Sequence, residues 1–222
     1  MLNGNDKKTE LIAGIISDKF GANPKRILVV GCGSGTEAAL LARCLGSDVI
    51  GIDVKEDFDP ESTHWATLRY GDAMDLEFED NEFDFVYSYH ALEHIPDPVI
   101  ALAEMSRCLR PGGGFWIGTP NRNRIIGYLG SKDATIGEKV KWNIDDWNAR
   151  LRGRFRNEYG AHAGFSSSEL QCLLADAFRV VEDVTDLYFG TIYSKHKKLL
   201  ELLKASGMTT KVFPSIYFVG KN

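Results

Sequence analysis

Glycines at positions 31, 33 and 35 form a turn between a short apolar run, Ile27 to Val30, and a segment with helical spacing of apolar residues. Because glycine has no Cβ, the chain can turn tightly there and a ligand can approach main-chain N–H groups. The spacing is GxGxG and not GxGxxG, since position 36 is threonine. An acidic residue, Asp53, follows about 20 positions after the first glycine, at the end of the next apolar run. The combination predicts a strand, a ligand-binding turn and a helix.

Strand and helix signals alternate through the first half of the chain. We predict a helix at 8–20 and strands at 26–30, 48–53, 66–70, 83–89 and 115–119. Asp97 and Pro98 are typical of the N-cap and first position of a helix. Alternation of this kind implies parallel strands joined by right-handed crossovers. After residue 160 we predict a capping box at Ser166–Glu169, a strand at 180–187, a helix at about 192–206 and a last strand at 215–220.

Composition sets the broad class. The chain has 222 residues and a formal net charge of −5, which argues against a surface that coats nucleic acid. Its four cysteines form no CxxC pair, and there is neither a secretory leader nor an apolar run of about 20 residues. We therefore expect a single domain over residues 1–222, cytoplasmic, with free thiols, no transmembrane segment and no nucleic-acid partner.

Residues 120–160 interrupt the alternation. The segment holds nine Lys or Arg and five acidic residues, so its charge is +4 within a chain of −5. Val140, Ile144, Trp147 and Leu151 recur at helical spacing. We predict an insertion that caps the carboxyl edge of the sheet and selects an anionic substrate through Arg150, Arg152 or Arg154. The alternative is a solvated helix whose tryptophans belong to the core.

Five motifs in order resemble the class I S-adenosylmethionine-dependent methyltransferases, in particular the small-molecule branch of the ubiquinone-biosynthesis type. The motifs are Val29–Gly35, Ile52-Asp53, Gly71-Asp72-Ala73, Ala91–Pro98 and Leu109–Gly114. The resemblance is strong over residues 25–120 and loose elsewhere. It implies an α/β, Rossmann-like, doubly wound seven-stranded sheet of order 3-2-1-4-5-7-6, with the last strand antiparallel.

The resemblance also implies a site for S-adenosylmethionine. The methionine carboxylate would lie at the helix N-terminus behind the glycine turn, and Asp53 would accept both ribose hydroxyls. Asp72 would accept from the adenine amino group, with Ala73 or Met74 along the ring. Asp53 as a strand cap and Asp72 as a turn residue are the structural alternatives. The predicted cofactor-binding residues are Gly31, Cys32, Gly33, Ser34, Gly35, Asp53, Asp72, Ala73, Met74, Ser88 and Tyr89.

Histidines follow the fourth strand and end the insertion. His90 and His162 are the predicted catalytic residues, because a hydroxyl acceptor needs a base with a pKa near neutrality. His94 is expected to stabilise the turn Glu93–Pro96 through a hydrogen bond. Glu93 and His94 offer two metal ligands without a third, so no metal site is predicted.

The leading functional hypothesis is methyl transfer to a small molecule or carrier-bound metabolite, with oxygen as the preferred acceptor atom and nitrogen or carbon as the next candidates. A non-catalytic methyltransferase-like binding module is one alternative, and an NAD or nucleotide-sugar Rossmann enzyme is another. The sequence is compatible with either a monomer or a homodimer.

Overall fold

The computed structural model describes residues 4–128, 134–157 and 162–222, and a seven-stranded mixed sheet organises them. Its order is β3-β2-β1-β4-β5-β7-β6, as predicted. All neighbours are parallel except β7, which pairs antiparallel with both β5 and β6. The strands are β1 (Arg26–Val30), β2 (Asp48–Asp53), β3 (Thr67–Tyr70), β4 (Phe83–Tyr89), β5 (Leu109–Pro120), β6 (Val180–Asp183) and β7 (Ser215–Lys221).

Helices cover both faces of the sheet. In chain order they are α1 (Gly4–Phe20), α2 (Thr36–Leu45), α3 (Pro98–Cys108), α4 (Ile136–Leu151), α5 (Ser167–Ala177), α6 (Thr185–Ile192), α7 (Lys197–Ala205) and α8 (Thr209–Val212). One apolar core joins α1, α2 and α6 to one face, and a second joins α3 and α5 to the other. Trp116 is fully buried in the first core and Phe115 in the second. This is the side-chain alternation of a strand buried on both faces.

Two helix starts have the predicted caps. The Asp97 carboxylate accepts from the N–H groups of Val99 and Ile100, with Pro98 in the first turn of α3. Ser166 and Glu169 form the predicted capping box at the start of α5.

The predicted strand at 180–187 is wrong in its second half. The strand ends at Asp183, whose Oδ1 accepts from the Thr185 N–H at 2.8 Å, and α6 begins there. Buried Thr185, Tyr188 and Phe189 lie on one face of α6, so packing on the core overrides the β-branched pattern. The predicted helix at 192–206 is likewise shorter, beginning at Lys197 after a 3₁₀ turn.

Candidate active site

The carboxyl ends of the central strands bring the predicted cofactor-binding segments together. Val30 of β1 is in register with Ile52 of β2 and with Ser88 of β4. The glycine turn, Asp53 and Tyr89 therefore leave the sheet side by side. The strand order switches from one side of β1 to the other between β3 and β4, and a ligand crevice opens at such a switch point.

The glycine turn has backbone conformations that need glycine. Gly31, Gly33 and Gly35 have φ of 74°, 54° and 87°. A Cβ on Gly31 would overlap that of Ala91, and one on Gly35 would overlap the Leu68 side chain. A Cβ on Gly33 would meet nothing within 4 Å, so the turn is open at its middle glycine. Gly35 caps α2 without a side-chain hydrogen bond, which leaves the helix N-terminus available to an anion.

Asp53 is fixed by main-chain donors on two sides. Its Oδ2 accepts from the Gly33 N–H at 2.8 Å, and its Oδ1 accepts from the Lys55 N–H at 3.0 Å. A carboxylate has about four lone-pair directions, so both oxygens retain room for ribose hydroxyls. Asp53 therefore does cap the strand, as the structural alternative held. These two bonds orient its carboxylate but leave each oxygen able to accept a further hydrogen bond.

The segment after β3 is a tight turn. Oδ1 of Asp72 accepts from the Met74 N–H at 2.9 Å, and Asp72 forms an isolated bridge with Asp75. Ala73 is buried while Asp72 and Met74 are half-buried. Asp72 therefore acts as a turn residue through its Oδ1, and its Oδ2 does not take part in that hydrogen bond.

The end of β4 combines an orphaned hydroxyl with a strained histidine. Ser88 is 1% exposed, and its Oγ has no hydrogen-bond partner among the described residues. His90 has φ of 54°, a left-handed conformation that costs about 1 kcal/mol or more for a non-glycine residue. Its N–H donates to the Gly118 carbonyl at 2.7 Å, and its Nε2 lies 3.1 Å from Ser215 Oγ. Burial, together with nearby cations, holds the pKa of His90 well below its usual range, so its ring is neutral near pH 7.

Three imidazoles surround one buried carboxylate. The Glu93 side chain is 1% exposed, with Oε1 3.7 Å from His90 Nδ1 and 3.9 Å from His94 Nε2. The rings of His94 and His162 meet edge to face with centroids 4.8 Å apart. Burial raises the pKa of Glu93 to about 7. The structure thus joins both predicted catalytic histidines to Glu93 and His94.

Buried Arg124 orders the chain around His162. It is 4% exposed, donates to the His162 carbonyl at 2.9 Å and pairs with Asp146 of α4 at 3.1 Å. Sequence analysis had not singled out Arg124, because only the fold shows that this arginine of a basic segment is buried.

The insertion places its arginines in different roles. Arg150 does not present a free cation, since it donates to the Arg124 carbonyl at 2.9 Å and lies 3.8 Å from the centre of the Phe155 ring. Arg152 and Arg154 are exposed. Trp142 and Trp147 are 36% and 45% exposed, and Trp147 Nε1 donates to the Ile125 carbonyl. These tryptophans are therefore not core residues, whereas α4 has no buried side chain, as the alternative of a solvated helix expected.

Sequence analysis also did not single out Glu37, a half-buried acid on α2. Glu37 Oε2 accepts from the Tyr87 hydroxyl at 3.3 Å, and burial raises the pKa of Glu37 to about 7. Tyr87 on β4 and Glu37 in the first turn of α2 lie 50 residues apart. Only the pairing of β1 with β4 brings them together.

Comparison with known proteins agrees with this geometry. A family model described as a methyltransferase domain matches residues 28–117. Over 96 residues the chain is 41% identical to demethylmenaquinone methyltransferase of Staphylococcus carnosus, an alignment covering 40% of each chain. The chain thus spans less than half the length of the curated relatives it matches.

Solved structures share the fold over most of the chain. A phosphoethanolamine N-methyltransferase of Haemonchus contortus, in complex with S-adenosylmethionine, has a TM-score of 0.59 at 18% identity, covering 96% of this chain and 52% of that one. A candidate sarcosine dimethylglycine methyltransferase of Galdieria sulphuraria has a TM-score of 0.58 at 16% identity, covering 96% and 85%.

The described residues fit the cofactor of such enzymes. The open middle glycine, the helix N-terminus without a side-chain cap and the orphaned Ser88 hydroxyl all face the crevice end of the sheet. Among the described helices, none combines the length and apolar character needed to cross a bilayer. A methyltransferase-domain model thus matches residues 28–117, and the described residues have the strand order 3-2-1-4-5-7-6 that this resemblance implied.

Proposed function

We propose that the chain transfers a methyl group from S-adenosylmethionine to a hydroxyl oxygen of a small molecule or a carrier-bound metabolite. The observation that supports oxygen is the group of His90, His94 and His162 around Glu93 at the crevice end of β4 and β5. An acceptor hydroxyl must lose its proton, and imidazoles are the side chains suited to take it near neutral pH.

The cofactor side of the site would be formed by the predicted segments. The Gly31–Gly35 turn and the start of α2 would bind the methionine end, and Asp53 would bind the ribose. Asp72, Ala73 and Met74 would border the adenine, while Ser88 and Tyr89 form the floor. When bound, the cofactor supplies an electrophilic methyl group on a sulfonium.

The chain itself would then align the acceptor, and alignment supplies much of the rate of a displacement reaction. We assign His162 as the residue that takes the proton, because its side chain is exposed at the rim. His90 stays neutral at working pH and would orient the acceptor by a hydrogen bond. The segment 120–160 would cap the crevice, with exposed Arg152 and Arg154 favouring an anionic substrate.

A second candidate acceptor comes from the named relatives. The chain is 41% identical over 96 residues to a demethylmenaquinone methyltransferase. Demethylmenaquinone is therefore the first specific acceptor to test.

Calorimetry on the full chain with S-adenosylhomocysteine and with NAD tests the cofactor assignment. We expect micromolar or tighter binding of S-adenosylhomocysteine and none of NAD; the reverse result would refute the proposal. Transfer of labelled methyl groups to phenols, hydroxy acids, amines and demethylmenaquinone then tests the acceptor. Labelling of amines alone would rule out oxygen, and binding without transfer to any acceptor class would favour the non-catalytic module.

Variants test the acceptor side. His162→Ala and His90→Ala should each lower kcat while leaving S-adenosylhomocysteine affinity within about twofold. The matched control is His196→Ala, an exposed histidine in the 3₁₀ turn before α7. Unchanged kcat in both variants would remove the histidines from the mechanism.

A further inference from the structure

Glu93, His94 and His162 together form a set of ligand atoms that the sequence does not show. One atom of each side chain lies within 4.8 Å of the others. Glu93 and His94 share the 3₁₀ turn Leu92–His94, whereas His162 belongs to the chain that returns from the insertion. The ligand pair lacking a third member in the sequence thus acquires one in the fold.

The carboxylate at the base of the cluster lacks a partner of its own. Neither Oε1 nor Oε2 of Glu93 has a hydrogen-bond partner among the described residues, although the side chain is 1% exposed. An unpaired buried carboxylate is costly, and such groups are normally paired or bound to a metal. The two imidazoles near it are too far for hydrogen bonds, at 3.7 Å and 3.9 Å.

His94 and His162 complete the cluster around the Glu93 carboxylate and leave it open to solvent on one side. Their side chains are exposed, so their rings can rotate toward the carboxylate and leave the outer side free. Tetrahedral bonds of about 2.1 Å place ligand atoms roughly 3.4 Å apart, so separations of up to 4.8 Å must contract by as much as about 1.4 Å. The nearby cation Arg124 is already paired with Asp146 and holds the His162 carbonyl.

We propose that Glu93, His94 and His162 bind one divalent transition-metal ion, with Zn²⁺ as the preferred ion. Two imidazole nitrogens and one carboxylate oxygen are the ligand set of open zinc and ferrous sites, which retain positions for water or substrate. Binding does not depend on the proposed methyl transfer. The suggested use of the metal does rest on that function. With the metal bound, His162 is a ligand and not the proton acceptor; the cation would lower the pKa of the acceptor hydroxyl, whose proton would then pass to water.

The experiment uses the untagged full chain, stripped with a chelator and titrated with Zn²⁺ in competition with a chromophoric chelator. Cys44→Ser and Cys172→Ser are introduced first, because these exposed thiols could bind zinc themselves. We expect one Zn²⁺ per chain at micromolar or tighter affinity. We also expect visible Co²⁺ absorption of a low-symmetry site when Co²⁺ is used instead.

Substitution of the metal-binding side chains gives the decisive comparison. Glu93→Gln and His162→Ala should each weaken Zn²⁺ binding at least tenfold, while His196→Ala should not change it. Circular dichroism and thermal melts confirm folding, and His162→Ala remains informative if Glu93→Gln does not fold, since the His162 side chain is exposed. No zinc binding, or equal affinity in the ligand variants, overturns the site. S-adenosylhomocysteine binding measured on the same samples separates that outcome from failure of the cofactor assignment.

Discussion

The main-chain N–H of Gly33 donates a 2.8 Å hydrogen bond to Oδ2 of Asp53, joining the glycine turn to the end of β2. The acid that would bind the ribose is therefore also a brace for the turn that would bind the methionine end. A change at either residue should affect both halves of the cofactor site.

Asp53→Ala should weaken S-adenosylhomocysteine binding by about 1.5–3 kcal/mol, roughly 10- to 150-fold in Kd. The reason is the loss of a charged acceptor for the ligand and of the brace on Gly33. Calorimetry measures the change. Glu56→Ala, an exposed carboxylate shortly after β2, is the control and should bind normally. An equal loss in both variants would point to general charge and not to a ribose contact.

Gly33→Ala should reduce cofactor affinity far more than it reduces stability. The new Cβ meets no protein atom within 4 Å but projects into the open turn, and the positive φ of 54° costs about 1–2 kcal/mol. Gly46→Ala is a close match, with φ of 67°, open space and a position at the C-cap of α2. Both variants should unfold at similarly lowered urea concentrations, and only Gly33→Ala should lose S-adenosylhomocysteine binding. Normal binding by Gly33→Ala would place the ligand elsewhere.

Glu37 should make the chain less stable as the pH rises from about 4.5 to 7. Its pKa is raised to about 7 by burial, with the Tyr87 hydrogen bond and Lys8 opposing, whereas the unfolded value is near 4.5. Between those values the folded state binds the extra proton, so the free energy of unfolding falls with increasing pH. Glu37→Gln should remove this pH dependence. Between pH 5 and pH 8, its free energy of unfolding should rise relative to that of the parent by on the order of 2 kcal/mol.

Urea unfolding of the parent and of Glu37→Gln at pH 5 and at pH 8 checks this prediction. Glu201→Gln, an exposed acid on α7, serves as the comparison and should follow the parent. A Glu37→Gln curve parallel to that of the parent would show that this acid does not titrate in the interval.

Three arginines of the insertion should fall into two groups, Arg150 on the one hand and Arg152 with Arg154 on the other. Arg150→Glu should destabilise the segment, because Arg150 is engaged with Phe155 and the Arg124 carbonyl. The paired change Arg152→Glu and Arg154→Glu should leave stability within about 0.5 kcal/mol, as for most exposed positions. If the substrate is anionic, that pair should raise KM several-fold at unchanged kcat.

The charge-matched control for the arginine pair is Lys195→Glu with Lys197→Glu; both side chains are exposed, Lys195 in the 3₁₀ turn before α7 and Lys197 at the start of α7. An equal rise of KM in both double variants would indicate net charge alone and would remove the insertion from substrate selection.

The sheet was predictable because each of its determinants is local. A strand, a glycine turn and a helix are contiguous in the sequence, and family resemblance supplied the strand order that the structure confirms. The helix that follows β6 was not predictable in this way, because Val180–Leu187 has the β-branched composition of a strand. The spacing of Thr185, Tyr188 and Phe189 was the available helical signal, and it prevails because those side chains pack on the core.

The acceptor side was less predictable for a different reason. His94 and His162 are 68 positions apart, and their contact depends on the path of the chain back from the insertion. The orphaned state of Glu93 is likewise a property of burial, which no local pattern encodes. Burial of Arg124 was unpredictable for the same reason. It lies in a basic segment whose cations are expected to be solvated, but the fold buries it.

Helix α4 contributes no buried side chain, and its described contacts run to the short stretch 124–128, through groups such as Asn143 and Asp146, and to Phe155 through Arg150. The sheet and its two cores consequently owe little of their stability to this helix. Its sequence is free to drift, or to be exchanged for another segment, without unfolding the catalytic frame. If α4 contacts the acceptor as proposed, exchange of this one helix would alter acceptor selection while the glycine turn, Asp53 and the sheet stayed as they are.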